Sequence, residues 1–329
     1  MFILHSGCWG SGGVIININS KIFVAGHNGM VGSAILRGLI RDGYKNIITR
    51  SRSELDLLKQ DEVNVFFGDE RPDVVFLAAA RVGGIMANMT NQAAFLYENL
   101  QIQNNVISAA SRNGAKKFVF LGSSCIYPRD CPQPIKEEYF LTSPFEPTNE
   151  GYAIAKVAGM KLCGYLASEG VWDSVTVIPC NLYGPGDNFD ESSSHVMAAL
   201  VKRFADAVSS GKKTVVCWGT GNSRREFLHV DDLARAVLML MNNNVFGSEP
   251  VNIGYGQDVT IKELAGIIAE KSGFSGDIVW DRSKPDGMVQ KLMDTERARA
   301  IGFVPEISLE DGIESFIGEY RKVAALQGE

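Results

Sequence analysis

The chain has 329 residues, 45% of them hydrophobic, enough to bury a large core and to build two domains or one enlarged α/β unit. A formal net charge of -6 argues against the clustered basic face that a nucleic acid requires, and no apolar run approaches the ~18 residues of a membrane span. The six cysteines, at 8, 125, 131, 163, 180 and 217, show neither CxxC pairing nor metal-ligand spacing, which predicts a reduced, cytoplasmic protein without a metal site.

Residues 1–20 lack the basic start and long apolar segment of a signal peptide and are expected to be a loose extension. Residues 21–25 predict the first strand, 30–42 a helix, 45–49 a short strand, and 62–67 carry the helical period. Val74–Ala79 is a continuous apolar run, typical of a strand buried on both faces. A long helix over about 92–112, a strand at 117–121, a helix over about 151–168 and a strand at 175–178 complete the alternation. That order predicts the α/β class: a Rossmann-type, doubly wound parallel sheet with helices on both sides. Past residue 180 the pattern loosens into a loop at 184–188, a helix at 195–208, and strands near 214–218 and 251–253 around a helix at 231–243. A final α+β stretch that includes 261–270 and 309–323 closes the chain. The expected partition is a nucleotide-binding domain from 21–180 and 226–255, and a smaller α+β substrate-binding domain from 181–225 and 256–329.

Gly26, Gly29 and Gly32 follow the first strand and open the first helix, with Asn28, Met30 and Val31 between and beside them. That placement suits a tight turn, close approach of backbone to a pyrophosphate, and close helix–strand packing. At the end of the second strand an NAD site usually offers a carboxylate for the ribose hydroxyl. Here Thr49-Arg50-Ser51-Arg52 offers two guanidiniums, so NADP is the expected cofactor. Asp56 and Leu57 are expected to border the adenine, and Ala78 and Ala79 the cofactor channel.

Tyr152 and Lys156 stand four residues apart on a predicted helix and face the same way. A free phenol, with a pKa of ~10, is a poor acid near neutrality, and a neighbouring ammonium is expected to lower it. Lys156 can also hold the nicotinamide ribose. The third member is expected at the strand end Leu121-Gly122-Ser123-Ser124-Cys125, as Ser123 or Ser124.

These motifs resemble the extended short-chain dehydrogenase/reductase family. The segments Gly122–Pro128, Glu146–Glu150, Asn181–Pro185, Asp187–Phe189, Ser194–Val196 and Arg225–Asp232 are similar, more closely, to GDP-L-fucose synthases. The resemblance runs from about residue 21 to the end. It implies 3,5-epimerisation of GDP-4-keto-6-deoxy-D-mannose, then reduction of the carbon-4 ketone with NADPH. It implies Ser123, Tyr152 and Lys156 as the reductive triad and Cys125 with His195 as the epimerisation acid/base pair. By the same analogy Arg203, Trp218, Arg225 and Asp294 hold the GDP-sugar. Asn181, Leu182 and His195 line the cofactor, together with Leu121, Gly122 and the triad. The family pairs through two long helices, so a homodimer is implied, through about 92–112 and 151–168. Asn28 departs from the arginine that bacterial relatives often carry in the glycine turn, which makes Arg52 more important.

The competing readings are another nucleotide-sugar 4-reductase or 4-epimerase without 3,5-epimerase activity, and a cofactor-sensing regulator. The intact serine, tyrosine and lysine speak against the regulator, since a sensor needs only the glycine turn.

Overall fold

The computed structural model describes residues 16–190, 193–243, 247, 249–284 and 286–327. Residues 1–15 of the expected extension lie outside these. Residues 16–20 differ from the loose tail expected for them. They form a turn closed by Ser20 N–H donating to Asn17 O, and Ile18 O accepts from Lys45 N at 3.0 Å.

The first half alternates as the apolar pattern requires: β1 (Ile22–Ala25), α1 (Met30–Arg41), β2 (Ile47–Ile48), α2 (Gln60–Glu70) and β3 (Val74–Leu77). A short helix the sequence does not signal, α3 (Ile85–Thr90), precedes α4 (Gln92–Arg112), β4 (Lys117–Leu121), α5 (Glu150–Ser168) and β5 (Asp173–Pro179). Every residue of β1, β3 and β4 is buried, because helices cover the sheet. The smaller layer begins with β6 (Asn181–Tyr183), α6 (Val196–Ser209), β7 (Thr214–Trp218) and β8 (Arg224–His229). The chain then returns to the main layer as α7 (Val230–Asn242) and β9 (Val251–Ile253). It then forms β10 (Asp258–Thr260), α8 (Ile261–Ser272), β11 (Asp277–Asp281) and β12 (Gln290–Lys291) of the smaller layer, packs α9 (Glu296–Ala300) against β9 of the main one, and ends in the smaller layer with α10 (Leu309–Gln327).

The main sheet is parallel throughout, in the order β2-β1-β3-β4-β5-β9. Among its flanking helices α1 packs on α7, and α4 on α5 and α2. β1 feeds β2 on one side, and the chain then crosses back to β3 on the other. This reversal opens a crevice beyond the carboxyl ends of β1 and β3, where doubly wound sheets bind ligands.

In the smaller layer β8 is central, pairing with β6, β10 and β12, while β7 pairs with β11. Helices α6, α8 and α10 close a second apolar core around Phe204, Ile268 and Phe316. The strand β8 therefore lies in the smaller layer, and re-entry to the main one comes at Val230. The expected boundary at 226 falls inside β8, because strand pairing, which periodicity does not reveal, assigns that segment to the second sheet.

Candidate active site

The glycine turn sits at the crevice. Gly26 has φ +86°, and a Cβ there would lie 2.6 Å from Ala79 N, so the loops after β1 and β3 can touch only through glycine. A Cβ on Gly32 would lie 2.1 Å from Gly26 O, which seats α1 directly on the turn. Gly29 differs: it is the N-cap residue of α1, and its Cβ position meets nothing nearer than 3.5 Å. No side chain caps this helix and no acidic residue occupies its first turn, so its free N–H groups fit the diphosphate of a dinucleotide. Ala78 and Ala79 are both at the closest approach to Gly26, while Met30 borders Gly186 of the loop after β6.

The two arginines separate. Arg50 donates to Glu70 Oε1 at 2.7 Å and to Thr49 O at 2.8 Å, and lies over the Phe66 ring. Its guanidinium serves the helix beneath, so the expectation that it reads a phosphate is not what its bonding favours. Arg52 is 77% exposed and has only a 3.9 Å contact with Asp56. Among the described residues, Arg52 is the less tightly held of the two guanidiniums at this strand end. Asp56 also accepts from Leu58 N, and Leu57 O accepts from Asn105 Nδ2, so both residues shape the loop below it.

At the end of β4, Ser123 Oγ accepts from Cys125 N at 3.3 Å, and Ser123 hydrogen-bonds the Tyr152 phenol. Lys156 donates to Leu121 O at 2.7 Å and lies 5.8 Å from the Tyr152 ring centroid. Ser123, Tyr152 and Lys156 thus come together, one turn of α5 apart from the strand end. Ser124, the alternative third member, is buried in the turn. The electrostatics correct one expectation. Burial raises the Tyr152 phenol above its ordinary value, the Cys125 charge adds to this, and only the Ser123 bond opposes it. Burial also lowers Lys156 to about 8. The site holds a protonated phenol beside a lysine that titrates near neutrality, because desolvation outweighs ammonium–phenol attraction.

Cys125 is half-buried in the 3-10 turn Ser124–Ile126, and its Sγ accepts from Asn149 Nδ2 at 3.2 Å. His195 is the N-cap residue of α6, and its side chain makes no capping bond to that helix. It reaches solvent within a crowded cleft, and that crowding keeps it below the usual histidine value. The loop leading to His195 is pinned to the main layer by Gly84 N–H donating to Ser193 O at 2.8 Å.

Lys291, which the sequence does not single out, faces the same site. It pairs in register with Arg225 across β12 and β8, and burial lowers its ammonium while the Cys125 charge opposes that shift. Among the described residues its ammonium has no hydrogen bond or ion pair. Its signal exists only once β12 is known to lie beside β8.

Arg225 donates to Arg224 O and Met288 O, each at 2.7 Å, and Arg203 donates to Val216 O at 2.8 Å. Trp218, 55% exposed, carries the Arg203 guanidinium and the Lys284 ammonium over its ring at 5.9 and 5.5 Å. Asp294 N donates to Ile135 O, and its carboxylate accepts from Glu296 N. Between the Trp218 and Arg225 ends, the Asp286 carboxylate accepts from Thr220 and Asp286 O accepts from Ser223. Asn181 donates to Glu226 O at 3.0 Å, and Leu182 is half-buried on β6. The described residues include no helix long and apolar enough to cross a membrane.

The model of the NAD dependent epimerase/dehydratase family matches residues 22–254. GDP-L-fucose synthase 1 of Arabidopsis thaliana is 52% identical over 304 residues, covering 92% of this chain and 94% of that protein. The crystal structure of a GDP-L-fucose synthetase from Naegleria fowleri bound to NADP superposes with a TM-score of 0.87 at 27% identity, covering 96% and 97% of the two chains. A GDP-mannoheptose C4 reductase from Campylobacter jejuni with NADP bound gives 0.84 at 36% identity, over 93% and 99%. The chain belongs to the NAD dependent epimerase/dehydratase family and, within it, stands with proteins named GDP-L-fucose synthase.

Proposed function

We propose that this chain makes GDP-L-fucose from GDP-4-keto-6-deoxy-D-mannose, by epimerisation at carbons 3 and 5 and reduction at carbon 4. One observation carries the reading: Ser123, which bonds the Tyr152 phenol, and Cys125, which is held by Asn149, stand two residues apart in one turn. A reductive triad and an acid/base thiol therefore share one strand end. The relatives' names support the substrate.

A C–H bond beside the carbon-4 ketone breaks when Cys125 Sγ takes the proton, and the electron pair moves to the ketone oxygen as an enolate. His195 returns a proton to the opposite face of that carbon, inverting it, and both side chains then exchange protons with water to reset. NADPH, when bound, supplies the hydride for carbon 4. The glycine turn and the α1 N-terminus would hold its diphosphate, with Arg52 on the 2′-phosphate. Tyr152 gives its proton to the developing alkoxide, Ser123 hydrogen-bonds the same oxygen, and Lys156 holds the ribose and replenishes the phenol. Arg203, Trp218, Arg225 and Asp294, from the substrate-binding layer, are the groups for the GDP-sugar.

The protein works as a homodimer in a reducing cytoplasm. Tyr97 on α4 and Ile154 and Tyr165 on α5 are exposed apolar side chains on two helices packed together, which supports pairing there. Five described cysteines are free thiols, which supports the reducing compartment. A dimer by sedimentation that becomes a monomer in Tyr97→Glu/Ile154→Glu is the expected result, and a monomeric parent refutes it.

The likeness to the C4 reductase favours a second reading, reduction without epimerisation. Incubation with the keto sugar in deuterated water, without NADPH, separates the two. Deuterium at carbons 3 and 5 in the parent, and its loss in Cys125→Ser, supports the epimerase. A parent that consumes NADPH but incorporates no deuterium supports the plain reductase.

A further inference from the structure

Asn149 stands at the N-cap of α5, a position where asparagine normally accepts from the N–H of the second or third helical residue. Here its side chain makes no capping bond. The work of the cap falls to another helix: Gln92 Oε1, at the start of α4, accepts from Gly151 N at 3.2 Å, and Gln92 Nε2 donates to Pro147 O at 2.8 Å. With the helix end satisfied from outside, the Asn149 amide turns away from its own helix and donates from Nδ2 to Cys125 Sγ at 3.2 Å. Its Oδ1 is removed from solvent and has no partner among the described residues. Two helices thus cooperate to point one amide at one sulfur.

We propose that Asn149 is a positioning residue for Cys125, holding Sγ toward the sugar and complementing the thiolate that removes the proton. The inference rests on the epimerase reading given above. An amide N–H is a donor and suits sulfur carrying negative charge, and such charge-assisted bonds are the stronger ones. The bond also limits the thiol to one rotamer, and a base misplaced by an ångström loses much of its rate. Because Gln92 already serves the helix end, removing the Asn149 side chain leaves α5 capped and the fold intact.

The test compares the parent, Asn149→Ala, Asn149→Asp and Cys125→Ser by deuterium exchange into the keto sugar without NADPH. Aspartate caps helices as well as asparagine does, so a purely structural role predicts that Asn149→Asp behaves like the parent. The positioning role predicts the opposite order. Asn149→Ala slows exchange about 10-fold through loss of the donor, and Asn149→Asp about 100-fold, since a carboxylate repels the thiolate. Thermal midpoints within about 2 °C of the parent show that the fold is retained. Exchange in Asn149→Asp equal to the parent overturns the proposal. A second measurement reads the contact without any sugar: iodoacetamide labelling of Cys125, followed on its own peptide by mass spectrometry, slows about 10-fold in Asn149→Asp. Unchanged labelling overturns the contact itself. If Cys125→Ser still exchanges, the epimerase role of the thiol fails, and with it the catalytic half of this inference, while slowed labelling upholds the Asn149–Cys125 link.

Discussion

The ammonium of Lys156 bonds the carbonyl oxygen of Leu121 at 2.7 Å, so this lysine is anchored to the end of strand β4 and not to the phenol of Tyr152. Two consequences follow from the burial of both groups. The phenol keeps its proton, which suits a donor to a developing alkoxide, and the lysine is moved to about 8, where it can pass a proton on. That arrangement, with Ser123 bonded to the phenol, supports the proposed delivery of a proton.

Tyr152→Phe removes that proton but keeps the ring, which packs edge-on against Phe95. Reduction, followed as NADPH consumption, is expected to fall ~100-fold or more with the thermal midpoint nearly unchanged. Deuterium exchange without NADPH should persist, since Tyr152 takes no part in it. Near-parent NADPH consumption would remove Tyr152 from the role of acid.

The pH dependence has a definite sign. Burial holds Lys156 below its usual value, so its ammonium is lost as pH rises through about 8. NADPH consumption at saturating substrate is therefore expected to decline above about pH 8. The unfolded chain binds this proton up to ~10.4, so the lysine's contribution to folding stability rises between those limits and the decline is not unfolding at this group. A rate that stays level to pH 10 would contradict the relay.

Arg52 and Arg50 offer a direct contrast. Arg52→Ala is expected to weaken NADPH by ~1.5–3 kcal/mol with little effect on NADH, because a charge-assisted hydrogen bond is lost. Arg50→Ala instead leaves Glu70 with Lys21 alone, so it should lower the thermal midpoint more than it alters cofactor choice. Binding titrations of both cofactors against both variants decide the matter, and equal losses in Arg52→Ala would show that it reads no phosphate.

The glycine turn separates packing from binding. Gly32→Ala drives a Cβ to 2.1 Å from a backbone oxygen and is expected to destabilise the fold by about 2–4 kcal/mol. Gly29→Ala has room for its Cβ, so stability should change by no more than ~1 kcal/mol while NADPH affinity drops at least ~10-fold. Denaturant titration and cofactor binding on the two variants test this opposition. Loss of binding without loss of stability in Gly32→Ala would overturn it.

Much of the main layer was legible in the chain. Continuous apolar runs such as Val74–Leu77 identify strands buried on both faces, and the long stretch 92–112 coincides with α4. The glycine spacing, the Tyr152–Lys156 interval and the strand-end serines are local, and local geometry follows from sequence spacing. The Ile85–Thr90 helix escaped because six residues carry too little period to read.

Other features depend on partners distant in the chain. Whether Arg50 or Arg52 is the less tightly held is decided by Glu70, eighteen or more residues away across α2. Lys291 meets Arg225 only through the pairing of β12 with β8, and Asn149 turns to Cys125 only because Gln92 serves its helix end. The phenol of Tyr152 was expected to feel chiefly its lysine, but burial by the packed site governs both groups. Sequence by itself determined which chemical groups exist and at what spacing along each helix or strand, because those intervals are set by backbone geometry. Tertiary structure decided which of them remain unpartnered, and at what proton affinity, because hydrogen bonding and desolvation depend on every neighbour that folding brings near.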